Sequence, residues 1–288
     1  MTNLIKTGRL FFSLSIIAYG IQQIVILDFR PQILPAFPAW AHEYSIFPIV
    51  TGVIMVAVGL ATSGILKVAE DNKKKIFLYL GCYFLALIVL SHIPYLLFVY
   101  PHKLSHLGSW GDALKELAFS GSAFIMTSSF QGNSSPAIKN NFFASLSGKL
   151  NTIGRIFFCT TIILFGCNHF VYDISAMVPK WYGMPMFWSY LGGVALIGAG
   201  IAILFKIFLQ PVALLLALML FLWFISLHVP NAIADPYVGR GNRIVSAFDA
   251  LLFCGAALVL SQSGKQSKEK SSQFSRVGVV QKNKRVEA

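Results

Sequence analysis

The sequence predicts an all-α, polytopic membrane protein with eight transmembrane helices, arranged as two parallel four-helix bundle repeats. Three observations predict it. The 288 residues are 56% hydrophobic and only 12% charged, with a mean hydropathy of +0.69, whereas a soluble domain carries about 25% charged residues. Uncharged stretches recur at the length of roughly 20 apolar residues that a helix needs to cross hydrocarbon. The second half of the chain also repeats the first.

Taken in order, the stretches run over 10–27, 44–66, 76–101, 117–138, 156–172, 181–205, 207–234 and 250–264. They are rich in Leu, Ile, Phe, Ala and Gly without strict alternation, which favours helices over barrel strands. The first has the look of a signal peptide, but its sequence recurs in mid-chain, so it reads as a retained span. The third and seventh end on SHIP (91–94) and LHVP (227–230), where the proline ends or kinks the helix. The eighth is full-length only if it takes in 244–249, which places Asp249 inside the membrane.

Charge placement gives the orientation. One side collects Lys6, Arg9, Lys67, Lys73, Lys74, Lys75, Lys139, Lys149, Arg155, Lys206 and the basic residues after 264. The other keeps only Arg30, Lys103, Lys115, Lys180, Arg240 and Arg243. The positive-inside rule makes the first side cytoplasmic. The expectation is a cytoplasmic-membrane protein with both termini inside. The net charge of +12 is then mostly topology signal and tail, which argues against a nucleic-acid partner. Residues 263–288 are rich in Lys, Ser and Gln with no apolar period and read as a basic disordered tail. Cys82, Cys159, Cys167 and Cys254 form no CxxC pair and read as small buried apolar residues.

The repeat organises the rest. GRLFFSLSIIAYGIQQIV opens span one and GRIFFCTTIILFGCNHFV opens span five, matching Gly8, Arg9, Phe11, Phe12, Gly20 and Val25 with Gly154, Arg155, Phe157, Phe158, Gly166 and Val171. Gly52 and Gly59 match Gly193 and Gly200, and His92 and Pro94 match His228 and Pro230. Gly121 matches Gly255, which aligns Lys115 with Asp249. Four helices are an even number, so both units enter from the same side and are parallel copies. The units span 1–131 and 150–262, with 132–149 as a cytoplasmic linker.

Polar groups inside a membrane are expensive and usually face the bundle interior. Gln23, His92, Lys115 and Glu116 in the first unit, and Asn168, His169, His228 and Asp249 in the second, all fall in the outer third of the bilayer. Two equivalent outer pockets are expected. His169, His228 and Asp249 could bind a metal as a facial triad, form a proton relay, or hold a quinone head group by hydrogen bonds. They could also simply satisfy one another. The first pocket has Gln23 and Lys115 instead, which speaks against metal, and none is assigned. The connectors 28–40 and 172–185 carry Pro, Trp and apolar residues and could cap the pockets. There is no CxxCH for covalent haem, no P-loop and no HExxH.

These motifs resemble the DoxX-like family of integral membrane proteins: the opening Gly-Arg-x-Phe-Phe, the Pro/Trp connector, the His before Pro, and DALKELAFSGSAF (112–124). The resemblance covers about 5–131 and 150–262 and implies a tandem fusion of two four-helix units. It also implies a membrane subunit of a quinone-linked redox system, with a redox-enzyme partner. It brings no catalytic residue, and the second unit departs from the first by having Asp249 where the first has Lys115. The alternative class is a non-enzymatic carrier or membrane scaffold for a small or lipidic molecule. Beside the lipid bilayer, a second copy of the chain remains open as a partner.

Overall fold

A computed structural model describes residues 3–130 and 141–263. Long helices dominate: α1 (Asn3–Ile26), α2 (Ile46–Ser63), α3 (Glu70–Val99), α4 (Gly111–Ser128), α5 (Asn141–Val171), α6 (Pro185–Leu204), α7 (Leu209–Ala234) and α8 (242–263). Among the described residues seven spans are long and apolar enough to cross a membrane and no strand occurs, so the chain is a multi-pass helical membrane protein.

The fourth uncharged stretch, 117–138, outruns its helix. Lys115 and Glu116 fall near the start of α4, as their place ahead of the stretch predicts, but α4 runs Gly111–Ser128 and stops there, and it is absent from the seven because Asp112, Lys115 and Glu116 lie within it. Of the charges in this polar turn, Lys115 is received by Asp249 on α8. Helix α5 begins within the expected linker, at Asn141. Residues 131–140 of that region, and the expected tail from 264 onward, lie outside the described residues. Helix α2 stops at Gly64, whose φ of +91° supplies the left-handed turn that releases the chain.

Helices α4 and α8 form the centre. In the most apolar 18-residue stretch of Val238–Ser263 83% of residues are buried, against 22% in that of Leu209–Ala234, which is largely exposed. Phe119 of α4 packs on Phe253 of α8, and both take further rings from Tyr19 on α1 and Phe158 and Phe165 on α5.

Glycines set the closest crossings. A Cβ on Gly20 would lie 2.4 Å from the Gly52 carbonyl oxygen, and one on Gly166 would lie 2.9 Å from that of Gly193. Gly8 meets Gly255 and Gly121 meets Gly154 in the same manner. Such backbone approaches replace hydrophobic drive as the source of helix cohesion in lipid. The first helix of each half therefore packs against the last helix of the other half.

Hydrogen bonds recur at aligned positions. Ser15 Oγ donates to Phe248 O (2.8 Å), and Thr161 Oγ1 to Leu114 O (2.7 Å). Ser120 Oγ donates to Gly81 O, and Cys254 Sγ to Ala217 O. In α3 and α7 the helix widens over Ile88–His92 and Phe224–His228, closed by Ile93 N–H to Ile88 O and Val229 N–H to Phe224 O. Pro94 and Pro230 follow at once. A proline ring clashes with the carbonyl four residues earlier, and an i→i−5 turn relieves the clash.

Candidate functional site

Four polar groups expected in two separate pockets, Lys115, Glu116, His228 and Asp249, meet in one central cluster. Lys115 Nζ of α4 lies 2.9 Å from Asp249 Oδ2 of α8, and Tyr19 of α1 donates its hydroxyl to Asp249 Oδ1. The two aligned positions thus carry opposite charges and pair with each other across the halves. Removing either partner would strand a buried charge. His228 lies within electrostatic reach of both members of the pair.

Glu116 is fully buried, and neither carboxyl oxygen has a hydrogen-bond partner among the described residues. Asp112, Asp249, Tyr19 and Tyr83 surround it electrostatically. Asp112 stands one helical turn earlier on α4.

His92 sits at the widened turn of α3, 2% exposed, with its ring against the backbone of Gln32 and Ile33. Its Nε2 has no partner among the described residues. It lines a cavity of about 150 Å³ together with Pro31, Pro35, Tyr95, Ser109 and Asp112. The first connector closes this cavity. Phe29, Ile33 and Leu34 are buried, while four polar bridges fasten the segment, with the preceding end of α1, to the start of α8. Gln22 Nε2 donates to Gly241 O, Arg30 Nη1 to Gly239 O, Gln32 Nε2 to Asn242 Oδ1, and Arg240 Nη1 to Asp28 Oδ2. His42 bridges Asp28 Oδ1 and the Pro35 carbonyl oxygen.

Two of these connector groups are electrostatically shifted. Burial works to raise the Asp28 carboxyl, but Arg240, His42 and the Phe29 N–H together outweigh it and hold it below the usual carboxylate range. Burial, with the Arg240 charge nearby, lowers the Arg30 guanidinium from its ordinary value.

The remaining predicted residues lie apart. Gln23 is buried and donates to Thr51 Oγ1 on α2, at 3.2 Å. Asn168 has a buried Oδ1 with no partner among the described residues. His169 turns to Ser189 Oγ on α6, 3.2 Å away, with Trp223 beside its ring. The facial-triad reading of His169, His228 and Asp249 therefore fails. Among the described residues no three His, Cys, Asp or Glu side chains converge to hold a metal ion.

No protein-family model, curated protein or solved structure matches the chain. Its chemistry rests on these residues alone.

Sequence reasoning missed Tyr19, Arg30, Gln32 and Asp112. Tyr19 was visible in principle, since the repeat aligns it with Phe165 and only one of the two has a hydroxyl to give. Arg30 and Gln32 sit in a connector whose burial no local pattern announces.

Proposed function

We propose that the chain is a DoxX-like protein of the cytoplasmic membrane, with eight spans in two parallel four-helix units and both termini inside. It acts as the membrane subunit of a quinone-linked redox system, and a quinol ring is held in the outer cavity at His92. The observation that carries this is the cavity itself. It is roofed by Pro31 and Pro35, has Asp112 on its wall, and presents a buried imidazole Nε2 with no partner among the described residues. A hydroxyl-bearing ring would supply what the imidazole lacks, and the apolar roof would cover its face. Matched interhelix hydrogen bonds and glycine crossings support the two-unit architecture.

The test is quinol affinity in wild type, His92→Ala and His228→Ala. Loss of one hydrogen bond weakens binding about tenfold, and it is expected for His92→Ala only. Equal affinity in all three would sink the reading.

One observation favours the carrier or scaffold alternative. An open apolar groove of about 680 Å³ runs between α1 and α8, lined by Ile21, Val25, Tyr237, Ile244 and Phe248. That reading predicts solute or lipid movement independent of any redox couple, measurable in reconstituted vesicles.

A further inference from the structure

We infer that Glu116 is a proton-binding site of the bundle core, loaded from the outer cavity through Asp112.

Glu116 differs from every other acidic group in the cluster. Asp249 has the Lys115 ammonium and the Tyr19 hydroxyl. Asp112 has Lys115 and Arg30 within electrostatic reach. Glu116 is fully buried with neither oxygen hydrogen-bonded among the described residues, and Asp112 and Asp249 add two like charges nearby. An ionised carboxylate buried without donors is very costly, and a group so placed holds a proton instead. The charged and titratable groups around it are Asp112 and Lys115 on its own helix, Asp249 on α8, Tyr83 on α3 and Tyr19 on α1.

A buried proton site works only if protons reach it. Asp112 lines the outer cavity, and Glu116 follows four residues later on the same helix face, about 5–6 Å away between Cβ atoms. A hydronium in the cavity gives its proton to the Asp112 carboxylate. The Asp112 O–H bond then breaks as the Glu116 O–H bond forms, so the core gains one proton and nothing is oxidised or reduced. Lys115, anchored by Asp249, stays out of the transfer. The route stands whether or not a quinol occupies the cavity.

Infrared spectroscopy on the full chain in lipid vesicles tests this. Wild type should show the C=O stretch of a protonated carboxyl, shifting on transfer to D₂O. Glu116→Gln should lose that band. Asp112→Asn should keep the band but exchange about a hundredfold more slowly or worse, the usual loss when a positioned proton-transfer group is removed. Dicyclohexylcarbodiimide, which needs a protonated carboxyl, should label wild type at Glu116, and labelling should fade as pH rises. The labelling and the wild-type exchange need no Glu116 variant, so a misfolded Glu116→Gln leaves the test intact. Absence of both band and label would overturn the site. Unchanged exchange in Asp112→Asn would overturn the route.

Discussion

The connectors that follow the first helix of each half start from similar sequence and finish differently. In the first half the connector 28–40 is folded down into the protein, with Ile33 fully buried and Arg30 and Gln32 each 2% exposed. In the second half Met177, Trp181 and Met184 stand out at 55%, 71% and 70% exposure. Both connectors reach the loop that precedes the other half's last helix. The first does so through several polar bridges. The second uses a stacked Tyr172–His106 pair, hydrogen bonds of the Tyr172 hydroxyl with Gly108 N–H and His106 Nδ1, and a tie from Tyr182 to Ser226 of α7. The first connector thus covers the cavity at His92, while the second stays largely exposed. What decides the outcome is whether the connector carries groups that the neighbouring loop can bind.

The comparison breaks most easily at the shared centre. Lys115→Ala or Asp249→Ala should lower stability by about 3–5 kcal/mol, because each leaves an uncompensated buried charge. The double change Lys115→Met with Asp249→Leu should recover most of it, read as thermal unfolding in detergent. Single changes as mild as surface substitutions would show that the halves are not tied there.

Ile33→Ala should cost about 2–5 kcal/mol, whereas Trp181→Ala should stay within about 0.5 kcal/mol. Limited proteolysis should cut the second connector first. Equal costs would erase the asymmetry.

A smaller effect separates the two glycine crossings. Gly20→Ala pushes a methyl into backbone that cannot yield, for about 1–3 kcal/mol. Gly166→Ala has 2.9 Å to the equivalent carbonyl, and its nearest obstacle is the movable Ile197 side chain. It should cost less in the same melt.

The smallest effect is pH-dependent. Asp28 is held below its ordinary value, so its contribution is present at neutral pH and lost as pH falls through the carboxylate range. The stability gap between wild type and Asp28→Asn should close on acidification. A gap that persists at low pH would show that the clamp does not work through charge.

Much of the fold was legible before any coordinates. Composition and span length identify lipid as the solvent and helix as the element, since a backbone in hydrocarbon must satisfy itself locally. The repeat picked out the glycines that turn out to meet, and it aligned His92 with His228 at matching widened turns. The site was legible only as a list. His92, Lys115, Glu116, His228 and Asp249 were named, but Lys115 and Asp249 had been assigned to different pockets, and His169 to a triad it does not join.

The sequence by itself determined what each segment is: apolar, helical, repeated, and polar at one end. Only the tertiary structure decided which polar group faces which. It placed Tyr19 on Asp249, folded the connector over His92, and left Glu116 without a hydrogen-bonding partner among the described residues. Hydrophobic period and composition are properties of neighbours along the chain. The Lys115–Asp249 pair joins residues more than a hundred positions apart, and the His92 cavity joins Pro31 to Asp112, and packing settles both.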